Sequence, residues 1–522
     1  MTQTMSPPMN PPMALKMTLA MAPVQPRRSA ARAALSACAL AAAAAASPPA
    51  LAADALPVSA TLGFETLRLP GQEQLGLART ELLFDIGNSL WLGPVVYGAA
   101  TGQRGGLFVG GVALERHWAL PADLRLDTSL GLGGGGGAAA PVGNGLLLRP
   151  ALQLSHAVGP LRVGISASRV QFVGSSVHSN QLGLLLQWQH SYRHVPLAQV
   201  DERQPAAQRS GLGFDRIALT AGRYRLGPAG ATRPFALVGV RLEQDIGSGT
   251  PGANTWGLEA SAAAQGTAAG YMDLLAHAGH SLALGPVRLG LRAAVGLGGG
   301  GAVLTGGGAM ARLDATLQAS LPAGWQLGAG LGRVRGQSSL LRGQRAELWL
   351  AHSLEPAGAP GTAGRAGTVR AADWGGGLLH INPVQRGNGG RQAVDAIGLV
   401  LNQGLGPALG GQTYLSGQAY SALAGAAGGY SIGLVGAGWA SGGDADLWRG
   451  GAELLAGGAG GGGVQQTSGA LLLGQAWLSR RMAEPAQRLR LSVGALAPLQ
   501  DGKSTAPVVS LVWTRSFGLV GP

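Results

Sequence analysis

Cysteine, lysine, aromatic side chains and charge are all scarce in these 522 residues. Cys38 is the only cysteine, Lys16 and Lys503 are the only lysines, 5% of the chain is aromatic and 12% is charged. A lone thiol excludes a disulfide framework. Beyond residue 53 no apolar run reaches 18 residues, so no membrane-spanning helix is encoded there. Disorder is excluded from the other side, because 46% of the chain is hydrophobic and disordered chains lack such residues to bury.

Glycine is what the chain has in excess. Its 90 copies are about one residue in six, against an ordinary usage of about 7%. There is no Gly-X-Y period, which excludes collagen. The glycine content also argues against a helix-rich enzyme, since each glycine inside a helix costs roughly 0.5–1 kcal/mol relative to alanine.

Residues 1–52 carry Lys16, Arg27, Arg28 and Arg32 and no acid, then an apolar core from Ala33 to Ala46, then Ala50-Leu51-Ala52. A basic region, a short apolar core and an A-x-A site predict a cleavable signal peptide. Leu35-Ser36-Ala37-Cys38 resembles a lipoprotein box, but the apolar core runs on past the cysteine, which favours cleavage after Ala52. Removing four basic residues lowers the net charge from +13 to +9. The remaining arginines are scattered singly, without the basic and aromatic interleaving of a nucleic-acid site, and export removes nucleic acid as a partner.

The exported part reads as strands. In Leu124-Arg125-Leu126-Asp127-Thr128-Ser129-Leu130-Gly131-Leu132 one face is mainly leucine and the other polar or small; Leu182, Leu184, Leu186 and Trp188 make a second such face. Alternating segments of about ten residues, separated by Gly- and Pro-containing breaks, predict a transmembrane β-barrel. A soluble sandwich would use more β-branched and aromatic residues.

Three glycine blocks recur, Gly133 to Gly137, Gly298 to Gly301 and Gly460 to Gly463, with block ends 164 and 162 residues apart. Gly105-Gly106, Ala269-Gly270 and Gly428-Gly429 keep the same register, as do Ser175-Ser176, Ser338-Ser339 and Ser504-Thr505. The exported chain therefore divides into three repeats, 53–202, 203–364 and 365–522, each of about eight strands. The fold expected is all-β: one barrel of about 24 strands, or three tandem eight-stranded barrels. Connectors at 193–211 and 355–365 favour three barrels. Small residues such as Ala260 to Ala264, taken as inward-facing, fill a small barrel poorly and favour the single wide one, which is preferred. The glycine blocks are expected to be mobile hairpin tips.

Val509, Leu511, Trp513 and Phe517 share one face of the last strand. That pattern resembles the C-terminal signal of Gram-negative outer-membrane proteins, although Arg515 interrupts it and five residues follow Phe517. The resemblance covers the whole exported chain. It implies an outer-membrane location, lipid and lipopolysaccharide as surroundings, the barrel-assembly machinery as a partner, and a further periplasmic or envelope partner.

No catalytic or metal site is expected, and no cofactor. His178-Ser179-Asn180 resembles the His-Ser pair of lipid A deacylases, but no third acid accompanies it, and Ser and Asn are ordinary turn residues. His277 and His280 point to opposite faces of a strand. The glycine blocks lack a phosphate-loop lysine. Arg125, Asp127, Arg149 and Arg162 are the candidate lumen-lining residues, and Trp188, Tyr192, Trp513 and Phe517 the candidate membrane-interface anchors. The function expected is a non-catalytic channel or export/assembly pore. The alternatives are a structural or adhesive surface barrel, or a lipid A-modifying barrel enzyme.

Overall fold

The computed structural model describes residues 55–227, 234–247, 252–337, 341–444, 446–465, 469–499 and 505–522. The segment expected to be a signal peptide, with Cys38, and Ser338, Ser339 and Ser504 lie outside them. The first eight strands are β1 (Ala55–Arg68), β2 (Gln74–Gly87), β3 (Leu90–Ala99), β4 (Phe108–Ala119), β5 (Leu124–Gly136), β6 (Leu147–Val158), β7 (Leu161–Phe172) and β8 (His178–Arg193). After a short β9 (Arg203–Pro205) come β10 (Arg216–Leu226), β11 (Phe235–Asp245), β12 (Asn254–Gln265), β13 (Met272–Leu284), β14 (Val287–Gly299), β15 (Ala309–Ser320), β16 (Trp325–Gly336) and β17 (Arg342–Ser353). The last eight are β18 (Ala366–Gln385), β19 (Arg391–Ala408), β20 (Gly411–Ala424), β21 (Ser431–Ala440), β22 (Trp448–Gly460), β23 (Ala470–Arg481), β24 (Gln487–Pro498) and β25 (Ala506–Gly521).

Each set of eight closes on itself by antiparallel pairing. β1 pairs with β8, with Leu62 opposite Leu186. β10 pairs with β17, with Leu219 opposite Leu350. β18 pairs with both β19 and β25. A single 24-stranded wall would need β8 to continue into β10; β8 closes the first barrel instead. Local sequence sets the hairpins: the two residues between β2 and β3, Asn88 and Ser89, both have positive φ, the geometry that matches strand twist in a two-residue turn.

Alternation puts leucine outside. Leu182 is 79% exposed and Leu331 69%, which only an apolar surrounding tolerates over so wide a surface. Inside, each barrel has two layers. Towards the loops that hold the glycine blocks it is filled by apolar side chains: Leu77, Tyr97, Val109 and Phe172 in the first, Tyr224, Phe235, Tyr271 and Met310 in the second, Ile381, Tyr420, Tyr430 and Leu471 in the third. Further towards the chain ends it is filled by charged and polar side chains. Eight strands enclose a space that side chains just fill, and these side chains are large. The expectation of small inward faces reversed the register: in β12 the inward residues are Glu259, Ser261 and Ala263, whereas Ala260 and Ala262 point outward.

The outward small residues let the barrels touch. Ala262 lies beside Gly458 of the third barrel, and Gly98 of the first beside Leu297 of the second. The glycine blocks form the junction. Gly106 abuts Gly299 and Gly300, Gly270 abuts Gly460 and Gly461, and Gly429 abuts Gly136 and Gly137. First meets second, second meets third, third meets first: the contacts close into a ring. The blocks are therefore packed against neighbouring backbone, not mobile tips. At the opposite end the first and third barrels share an aromatic joint, where Phe84 stacks on Trp374 at 4.4 Å and Tyr192 packs on Phe517 at 4.9 Å.

Candidate functional site

The charged layer inside the barrels is the densest chemistry in the molecule. Inward strand positions recur every second residue, so an arginine two places before an acid puts both into one lumen. Five such pairs occur: Arg79/Glu81, Arg125/Asp127, Arg241/Glu243, Arg312/Asp314 and Arg345/Glu347, each ion-paired.

In the first barrel Arg149, fully buried, clasps Glu65, which also accepts a hydrogen bond from Ser168 at 3.0 Å. Arg79 donates to Glu81 at 2.7 Å and to Gln153 at 2.8 Å, and Arg125 reaches Gln187 at 2.8 Å. The second barrel centres on Glu259, which takes Arg312 at 2.8 Å through both terminal nitrogens and Arg345 at 2.9 Å. Arg241 bridges Glu243 and Glu347 at 2.9 Å each, with its guanidinium 4.7 Å over the Trp349 ring. The third barrel is less charged: Arg490 meets Glu453 at 2.6 Å, and Gln418, Gln475 and Tyr414 also bond Glu453. Buried charges of this kind are tolerable only when paired and hydrogen-bonded.

The mouth of the third barrel, at the end where its first and last strands meet the connectors, holds a cavity of about 50 Å³ whose lining includes Arg370, Asp373, Asn402, Arg449 and Trp477. Asp201, on the connector from the first barrel, lies across it, pairing with Arg370 at 2.5 Å and accepting from Gln412 at 3.1 Å. At the glycine end of the first barrel Arg104 ties three loops together through Glu73 at 2.7 and 2.8 Å and the Ala138 carbonyl at 2.9 Å. That hydrogen-bonded pairing holds the Glu73 carboxyl below the usual range.

Of the residues expected in the lumen, Arg125, Asp127 and Arg149 are buried inside the first barrel. Arg162 lies at its edge and donates to Ser155 and to the Asp123 carbonyl. Trp188 and Trp513 are half-buried, but Tyr192 and Phe517 are buried in the joint between barrels rather than in a lipid belt, because the first and third barrels meet there. His178 faces outward and Ser179 inward, where Ser179 accepts the Arg68 amide at 3.2 Å, so the structure does not bring the pair together. His277 is buried near Glu243, and exposed His280 bonds Asn254. Among the described residues Glu115, His117 and Asp127 lie close enough to share a cation, but Arg125 already neutralises Asp127. Glu65, Glu259 and Glu347, the acids that anchor the networks, escaped the sequence expectation. The two-residue arginine–acid spacing could have found Glu347, through Arg345, but not Glu65 or Glu259, whose arginine partners lie on other strands.

Closed antiparallel barrels of even strand number, apolar outside and charged within, decide the class. The chain is a β-barrel protein of the outer-membrane class. No protein-family model matches it, and no curated protein does. Among solved structures it is similar to the outer membrane protein OpdK of Pseudomonas aeruginosa, at 9% identity over 89% of this chain and 99% of that one with a TM-score of 0.22. OccK9 (OpdG) of Pseudomonas aeruginosa gives 11% identity, 89% and 98% coverage and a TM-score of 0.22. The siderophore receptor PirA of the same organism gives 11%, 90% and 81%, and 0.27. Likenesses at these scores add nothing to the strand pairings, on which the fold rests.

Proposed function

We propose that this is a non-catalytic outer-membrane protein in which three barrels stand side by side in one bilayer and serve as channels held shut in the state described. The observation that carries it is the charged layer. A barrel serving only as an anchor can fill its interior with apolar side chains, whereas here each interior places ion pairs at mid-depth, where they cost desolvation. Opening would require the apolar layer to part and the pairs to exchange partners. Insertion would use the barrel-assembly machinery, and the cavity at the third barrel's mouth would face a periplasmic partner.

A second proposal, a structural or adhesive surface barrel, is favoured by the double seal of charged and apolar layers. Conductance of the purified full chain in planar bilayers separates the two. The channel proposal expects small, voltage-dependent steps, made more frequent by Glu65→Gln, which releases Arg149. Silence of both proteins over the whole voltage range, with insertion verified by protease protection, would favour the structural alternative. One large step would mean that the three barrels open into a single pore.

A further inference from the structure

The second barrel carries an arginine face on its outside. Arg223 and Arg225 on β10, Arg342 on β17, and Arg333 and Arg335 on β16 are all exposed, on three adjacent strands near the glycine end. Pairing aligns them in rows: Arg225 and Arg333 both flank Gln344, and Arg335 sits opposite Arg342. The nearby acids Glu347 and Asp314 point into the lumen, so no carboxylate shares the face. Among the described residues these five guanidinium groups have no hydrogen-bond or ion-pair partner.

The level of the rows is informative. Beyond them on the same strands come Leu331 and Leu348, 69% and 61% exposed, and at the far end Trp325 meets His352 edge to face at 4.5 Å. From Arg335 to Trp325 is ten residues, about 33 Å along the strand at ~3.3 Å per residue, which at a strand tilt of about 40° is about 25 Å across the bilayer, against an apolar band of about 25 Å for barrels of this class. The arginines therefore stand at one headgroup level and the tryptophan at the other. The first barrel repeats the row in smaller form, with Arg169 opposite Asn180 and Arg68 beside them. In the third barrel the same level holds Ala495 and Pro507.

Five like charges on one small face repel one another unless an anion lies among them. Arginine's planar fork matches phosphate oxygens in pairs, which lysine cannot do. We propose that this face, with the smaller row on the first barrel, binds the phosphate groups of an anionic glycolipid headgroup, the lipid A phosphates of the outer leaflet. This rests on the outer-membrane placement, with the glycine end outward because the class keeps its short turns on the periplasmic side.

The test uses the full chain in detergent, with bisphosphorylated lipid A and its dephosphorylated form as probes, read by native mass spectrometry. Wild type should hold the phosphorylated form roughly tenfold or more tightly. The variant R223Q/R225Q/R333Q/R335Q/R342Q should lose most of that preference while keeping its heat-modifiable gel shift, the sign of a closed barrel; the matching lysine variant should keep part of it. Equal binding of the two probes by wild type, or an unchanged preference in the glutamine variant, would overturn the proposal. So would displacement of lipid A by inorganic phosphate at equal concentration, which would assign the face to a free anion. Electrically silent protein that still prefers phosphorylated lipid A would sink the channel and leave this site standing.

Discussion

A Cβ placed on Gly106 of the first barrel would lie 2.7 Å from the Cα of Gly300 in the second. Glycine is needed there twice over, for the close approach and for a φ of +99°. Gly270 against Gly461 and Gly429 against Gly137 repeat the relationship around the ring, with an added Cβ 2.7 and 2.6 Å from the neighbouring amide nitrogens. Gly106→Val is expected to cost about 1–3 kcal/mol, because backbone faces backbone and no flexible side chain can yield. The strain falls on the junction between barrels and leaves each barrel's own pairing intact. Semi-native gel electrophoresis should therefore show the folded band converting at a lower temperature, while strand content by circular dichroism stays unchanged. A conversion temperature equal to wild type would mean that the ring does not hold the barrels together.

Much of this architecture was legible in the sequence, and the illegible parts have physical causes. Strand alternation and the spacing of the glycine blocks come from local periodicity, which a sequence displays directly. Closure does not: whether β8 pairs with β1 or runs on into another unit depends on contacts more than 100 residues apart. The assignment of Ala260 to Ala264 failed because a strand has two faces, and smallness can serve a neighbouring barrel as well as a lumen. Asp127 could be matched with Arg125 because they sit two apart on one strand. Glu65 could not be matched with Arg149, since only barrel closure brings 84 residues of separation to a single ion pair.

Glu259 is the acid on which the second barrel's charged layer depends. Its side chain is fully buried and takes Arg312 and Arg345 directly, with Arg241 at 3.8 Å. Glu259→Gln keeps the shape but leaves three buried arginines with less countercharge, an imbalance that costs about 3–5 kcal/mol. Trp349 reports the change locally, since Arg241 and Arg292 lie 4.7 and 4.9 Å from its ring. Urea unfolding followed by tryptophan fluorescence should shift to lower midpoint in E259Q. The exposed control Glu202→Gln should unfold with wild type. Coincident curves for E259Q and wild type would show that the remaining acids, Glu347 and Asp314, suffice.

Glu355 introduces pH dependence outside the membrane-spanning strands. It lies on the connector between β17 and β18, accepts the Ser210 amide at 2.7 Å and pairs with Arg365. Burial pushes its carboxyl up to about 7, outweighing the Ser210 amide and the Arg365 guanidinium, with Asp215 nearby acting in the same upward direction. A folded value above the unfolded one, ordinarily near 4.5, makes a contribution that is complete below pH 4.5 and is lost as pH rises through 7. The connector should then loosen from mildly acidic to neutral pH. Hydrogen exchange by mass spectrometry, corrected for the intrinsic pH dependence of exchange, should show protection of residues 354–365 falling between pH 5 and 7.5. In Glu355→Gln, which cannot ionise, that fall should disappear. An identical fall in the glutamine variant would transfer the pH sensitivity to another group.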